Sequence, residues 1–310
     1  MANISASQVA ELRKATGCGM MDCKKALVEA EGDFEAAKKI LREKGLAVAA
    51  KKQGRVAAEG LVDIMLSDDK KTAAMVEVNS ETDFVAKNAS FSEFVKGILR
   101  TILKERPADV DALMALPFDG TANTVEAELN DKTFVIGEKL SIRRFTVVEG
   151  VMSTYIHGLG ATGVIVKFNA DDSVATDDKF AECAKNVALQ IAAMSPAYAT
   201  KEDVPQSAID EEKAVLIAQI KQDPKNANKP EQIIEKMVSG KIGKFYEKNC
   251  LTEQAYVKDD KMTVGQYVAS VSKELGKDFS INSFVVYEKG EGIEKREDNL
   301  GDEVAKMLAK

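Results

Sequence analysis

Tryptophan is absent from the 310 residues, histidine occurs once, and four cysteines are scattered along the chain. The one histidine, His157, needs a placed nucleophile and an orienting acid to act as a catalytic base, and Ser153, four residues earlier, supplies no such geometry. Cys18, Cys23, Cys183 and Cys250 have no histidine beside them and cannot assemble the four nitrogen or sulfur ligands of a zinc site. Reduced thiols are expected instead, with no metal and no cofactor. A basic excess is also missing. The net charge is −7, which argues against a nucleic-acid backbone as the main ligand. No apolar run is long enough to span a bilayer, and Met1-Ala2-Asn3-Ile4-Ser5 lacks the basic start and apolar stretch of a secretory leader. Neither a membrane nor an export signal is therefore expected, and a cytoplasmic location is. Phosphate-cradling motifs are missing too, since Gly240-Lys241, Gly243-Lys244 and Gly276-Lys277 are followed by Ile, Phe and Asp rather than Ser or Thr. These absences describe a binding protein rather than an enzyme with its own active site.

What is present is the balance of a globular protein, 45% apolar and 30% charged, in a chain long enough for two or three units. Residues 1–46 read as three short helices. The first places Ile4, Val9, Leu12 and Ala15 on one face and stops at Thr16-Gly17-Cys18-Gly19. Asp22 is expected to cap the second, which carries Ala26, Leu27 and Ala30 and ends at Glu31-Gly32. Asp33 caps the third, with Phe34, Ala37, Ile40 and Leu41 inward and Gly45 closing it. So small a core is expected to dock onto something larger. Met20-Met21 falls between helices one and two, where thioethers suit either a contact surface or gap filling. The basic run from Lys38 to Arg55 reads as a solvated face leading into an Ala- and Lys-rich linker over 46–60.

The middle of the chain reads as an internal duplication. Glu59-Gly60-Leu61-Val62 opens a strand, Ser67-Asp68-Asp69-Lys70 turns it, and Ala74-Met75-Val76-Glu77-Val78-Asn79 returns. About ninety positions later Glu149-Gly150-Val151-Met152, His157-Gly158-Leu159-Gly160 and Val164-Ile165-Val166-Lys167-Phe168-Asn169 repeat the scheme. Apolar-periodic helices follow at 91–103 and 180–194, and third strands at Phe145-Thr146-Val147-Val148-Glu149 and Phe284-Val285-Val286-Tyr287-Glu288. Inside the second copy, helical arms at 206–221 and 231–248 flank a proline-bracketed turn. Ile209, Leu216 and Ile220 are expected to face Ile234, Val238, Lys241 and Phe245. Such a hairpin needs a partner for stability: its own body, another protein, or a second copy of the chain in a homodimer. Gly290-Glu291-Gly292-Ile293 connects to a last short amphipathic helix over 299–310.

The expected class is α+β. An N-terminal three-helix module with its linker covers 1–55, and the first core subdomain covers 56–145. The second core subdomain is 146–200 with 249–290, split by the antiparallel helical hairpin at 201–248. A C-terminal helix lies in 291–310.

One stretch, Glu81-Thr82-Asp83-Phe84-Val85-Ala86-Lys87-Asn88, stands at the junction of strand and helix in the first copy. Phe84 there is either a core plug or a probe held out for a partner. The matching junction of the second copy, Asp172-Ser173-Val174-Ala175-Thr176, has no aromatic, which leaves both readings open.

The stretch Thr16-Gly-Cys-Gly-Met-Met-Asp-Cys-Lys-Lys-Ala-Leu27, the stretch Glu81 to Asn88 and the trio Ile142-Arg143-Arg144 closely resemble the translation elongation factor Ts family. The resemblance covers essentially the whole chain. It implies that residues 1–46 form a ubiquitin-associated-like (UBA-like) bundle. It implies a non-enzymatic guanine-nucleotide exchange factor of protein biosynthesis that releases GDP from elongation factor Tu, a GTPase met in its GDP and nucleotide-free forms. Asp83 and Phe84, flanked by Thr82 and Val85, would then be the intruding pair beside the nucleotide site. Arg13, Met20, Met21 and Lys24 would be N-terminal contacts, Ile136 and Gly137 a further core contact, and His157 a tip contact. The C-terminal helix resembles a docking arm. Phe134-Val135, Lys139-Leu140, Cys18 and the long turn at 223–230 depart from the family's usual pattern. A different class of function, a ubiquitin-like or nascent-chain binder using the three-helix module alone, would bind without changing GDP release. A cysteine enzyme using Cys23 or Cys250 would need a base that the sequence does not show.

Overall fold

Ser5 starts the first helix by accepting from the Gln8 N–H while the Gln8 side chain takes the Ser5 N–H, and α1 (Ala6–Thr16) ends at Gly17 with φ 71°. In this computed structural model residues 4–223 and 229–294 are described. Helices α2 (Met20–Glu29) and α3 (Phe34–Lys52) complete a bundle around Leu12, Cys23, Ala26, Leu27, Ala37 and Leu41.

Within this bundle the structure departs from the expected details. Gly19, not Asp22, is the N-cap of α2; Asp22 lies within the first turn, where its charge suits the helix dipole, and Met20-Met21 belong to that turn rather than to a loop. Ala15 is exposed, and Ile4 precedes the α1 cap. Gly45 does not end α3. The helix runs on to Lys52 because Gly45 is buried against Phe134, and that packing outweighs the roughly 1 kcal/mol a helical glycine costs. The expected linker is accordingly helical over its first half.

The duplicated core follows. Strands β1 (Glu59–Leu66) and β2 (Thr72–Ser80) form a hairpin, then come α4 (Asp83–Ala86), α5 (Ala89–Glu105), α6 (Val110–Ala115) and α7 (Val125–Ile136). Strand β3 (Ser141–Glu149) completes an antiparallel sheet in the order β1-β2-β3. The second copy has β4 (Val151–His157), β5 (Thr162–Ala170) and α8 (Asp178–Met194). Its sheet is closed by the last described strand, in the equivalent order. The backbone repeats in detail. Gly60 and Gly150 have φ 116° and 114°, the β-bulges fall at Glu77/Val78 and Lys167/Phe168, and Asn88 and Asp177 cap α5 and α8.

After α8 come α9 (Gln206–Gln222) and α10 (Glu231–Asn249), then β6 (Ala255–Tyr256), β7 (Asp259–Thr263) and α11 (Val264–Leu275), and the closing strand is β8 (Phe279–Glu288). Leu216, Ile220, Ile234 and Val238 are the buried seam of the α9–α10 hairpin, as the spacing implied, but Lys241 points to solvent and Ile242 packs in its place. An ammonium has no partner to offset desolvation in such a seam. Strand β8 begins earlier than the sequence pattern indicated, at Phe279, where its ring packs edge-on against Phe168 and Phe180. The expected C-terminal helix lies outside the described residues.

Period-two alternation explains the layers. Ala74, Val76 and Val78 of β2 face α5, while Ala73 and Met75 face the second sheet. On β5, Val164, Val166 and Phe168 face α8, while Ile165 meets Val62 and Met75. The order is helix, sheet, sheet, helix. The two sheets meet closely at Gly163, where an added Cβ would lie 2.6 Å from Val62. No described helix is long and apolar enough to cross a membrane.

Candidate partner-binding site

Phe84 is the most exposed aromatic ring described, at 78%. It sits on α4, a single turn whose next residue, Val85, is buried among the α5 side chains. The second copy supplies an internal control. Val174 at the matching junction is 1% exposed and packs against α8, while the position before it is Ser173. The core plug common to both copies is thus the valine, and the plug reading of Phe84 is overturned. Val85, which flanks the expected intruding pair, keeps its side chain inside the first core.

Asp83 and Phe84 share one cation. Lys87 Nζ is 2.7 Å from the Asp83 carboxylate and 5.8 Å from the centre of the Phe84 ring. The hydrogen bond from Lys87 holds the Asp83 carboxyl below its ordinary value. Thr82 occupies the N-cap position, but its N–H and hydroxyl both donate to the Glu138 carboxylate, at 2.9 and 2.6 Å. Glu138 directly follows Gly137, so Thr82, Asp83, Phe84 and Gly137 belong to one locality. Gly137 is exposed and ends α7 at φ 81°, whereas Ile136 leans on the first core.

The other expected residues stand elsewhere. Arg13 is exposed in the last turn of α1. Met20 and Met21 are exposed at the start of α2, with Lys24 and Val28 continuing the stripe at helical spacing, so the gap-filling reading of the methionines fails. His157 ends β4, exposed, with Nδ1 3.0 Å from the Tyr155 hydroxyl. Two positions on, Leu159 is 88% exposed in a left-handed turn, a feature the sequence reading passed over.

Reactive chemistry finds little support. All four cysteines are buried and free. Burial pushes the Cys183 thiol up to about 12 and the Cys250 thiol up to about 11, far from a nucleophilic thiolate at neutral pH. Among the described residues no group of His, Cys, Asp and Glu could hold a metal ion.

The trio Ile142-Arg143-Arg144 has a clear place. Glu77, fully buried between the sheets, accepts from Arg143 at 3.1 Å, Arg144 Nε at 2.7 Å, Asn79 at 3.0 Å and the Gly290 N–H at 2.8 Å. The cluster fastens the segment after β8 to the first sheet.

A family model described as elongation factor TS matches residues 81–291. Among curated proteins, an elongation factor Ts of Clostridioides difficile is 48% identical over 310 residues, covering 99% of this chain and 100% of the relative. One from Clostridium botulinum is 46% identical over 99% and 100%, and one from Syntrophotalea carbinolica 44% identical over 98% and 99%.

Proposed function

We propose, from the premise that the chain belongs to the elongation factor Ts family, that it is a cytoplasmic guanine-nucleotide exchange factor for elongation factor Tu in translation elongation. The exposed Phe84 ring, present in one copy of a duplicated fold and replaced by Ser173 in the other, is the observation that carries this reading. Asp83 and Phe84 enter beside the nucleotide site of the GTPase and disturb its Mg²⁺ and phosphate contacts. GDP leaves, and GTP rebinds to the nucleotide-free complex.

No covalent step belongs to this chain. Factor and nucleotide each weaken the other's binding to the GTPase by the same ratio, so exchange needs no energy source. Magnitudes divide the labour. Burying one phenylalanine ring contributes about 1.5–3 kcal/mol. That corresponds to roughly ten- to a hundred-fold in an equilibrium constant. The remainder comes from the GTPase's lost Mg²⁺ and phosphate contacts, while wide contacts through Arg13, Met20, Met21, Lys24 and His157 supply binding energy. Placing Phe84 on a sheet-and-helix rim anchored by Val85 lets the ring enter without first ordering a loop.

The test is release of labelled GDP from purified elongation factor Tu with and without this protein. Acceleration that saturates with factor concentration is expected. Tight binding with an unchanged release rate would instead favour a plain binding module.

A further inference from the structure

Two short segments, 81–82 and 138–139, are joined by crossed hydrogen bonds. The Lys139 N–H donates to the Glu81 carboxylate at 2.6 Å, and the Thr82 N–H donates to the Glu138 carboxylate at 2.9 Å. Each segment gives one backbone donor and one carboxylate. A capping box does the same within a single helix; here the partners are 58 and 56 residues apart in sequence. The Thr82 hydroxyl adds a third bond, to Glu138 at 2.6 Å.

That hydroxyl would ordinarily cap α4, and it makes no bond there. A four-residue helix cannot hold its own direction. The direction of Phe84 is therefore set from outside, by Val85 in the core on one side and by Thr82 in the clasp on the other.

The clasp also reaches the N-terminal bundle. Arg55 lies 3.2 Å from the Glu81 carboxylate, and Lys139 Nζ donates to the Gln53 and Arg55 carbonyls at 2.7 and 2.8 Å. Lys52, the last residue of α3, donates to the Gly137 carbonyl. One turn back on α7, Phe134 packs into the core of the three-helix bundle. The C-terminal end of α7 thus grips the bundle with one set of groups and the Phe84 segment with another.

We infer that Glu138 is a positioning residue. With Lys139 it holds the Phe84 ring at a fixed place relative to the Met20-Met21-Lys24 stripe, so that the two surfaces meet the GTPase as one rigid piece. The inference rests on the reading of Phe84 as the exchange-promoting side chain. Fixed geometry is where a small displacement matters: about 1 Å of misplacement can cost roughly a hundred-fold in rate.

The experiment is a double-mutant cycle on GDP release from elongation factor Tu. Glu138→Ala and Thr82→Val are each made alone and combined with Phe84→Ala, and the plateau rate and half-saturating concentration are read. Glu138→Ala is expected to lower the plateau about ten-fold, to move half-saturation less than about three-fold, and to add nothing in the Phe84→Ala background. Thr82→Val, which keeps the backbone bond, gives a smaller drop of the same kind and serves if Glu138→Ala does not fold. An equal loss in both backgrounds would overturn the inference, because Glu138 would then act independently of the ring. So would an unchanged plateau in both clasp variants while Phe84→Ala is slow. If Phe84→Ala itself released GDP at the parent rate, the underlying reading would fall, and this inference with it.

Discussion

Replacing Glu77 by glutamine removes one negative charge from the middle of the protein and changes little else in shape. The carboxylate is fully buried and accepts four hydrogen bonds, two of them from the guanidinium groups of Arg143 and Arg144. Breaking a buried pair by removing one partner typically costs 3–5 kcal/mol. Both arginines are part-exposed, and Arg144 keeps Glu291 at 3.0 Å, so about 2–3 kcal/mol is expected at pH 7. At a urea dependence of about 2–3 kcal/mol per molar, the unfolding midpoint falls by about 1 M. The pH dependence has a definite sign. Burial alone would raise the Glu77 carboxyl, but the bonds from Gly290, Asn79, Arg144 and Arg143 bring it below its ordinary 4.5. A depressed folded value stabilises above the unfolded value, and that contribution is lost as pH falls through the folded one. The gap between wild type and Glu77→Gln is therefore full at pH 7 and narrows as pH falls below about 4.5. Urea titrations at several pH values measure it. Equal stability at pH 7, or a gap constant from pH 7 to about pH 3, would refute this electrostatic account of the cluster.

The two neighbours at the strand-to-helix junction should separate cleanly in the same assay. Val85→Ala lowers stability by about 1–2 kcal/mol, whereas Phe84→Ala changes it by less than about 0.5 kcal/mol; comparable losses would mean the ring is packed. The thiols give an independent check on burial. At pH 8, Cys183 and Cys250 should react with iodoacetamide at least about a hundred times more slowly than a free cysteine, and reach its rate only in urea. Fast alkylation of the native protein would place them at the surface.

The duplication was legible because its signals are local: a glycine opening each hairpin, a short apolar run in β2 and again in β5, and an apolar-periodic helix after each. Helix α7 was not, because it packs two ways. Val125, Leu129 and Thr133 face the first core while Phe134 turns to the N-terminal bundle, so no single apolar stripe marks it. Gly45 misled for a related reason, since a tertiary contact with the same phenylalanine carries the helix past a residue that usually ends one. At the site, the pattern singled out Asp83-Phe84 but could not say whether the ring points in or out. Exposure of Phe84 beside a buried Val85 decides it. The Glu138 clasp and the Glu77 cluster were out of reach, because nothing local records which carboxylate meets which donor across more than fifty residues.

The role of the ring is tested most directly by stopped-flow release of labelled GDP from elongation factor Tu, at saturating wild-type and Phe84→Ala protein, with the affinity of each for the nucleotide-free GTPase measured alongside. The expected result is binding weakened by no more than about a hundred-fold, the worth of one buried ring, together with loss of most of the acceleration at saturation. Release at the wild-type plateau rate with Phe84→Ala would contradict it.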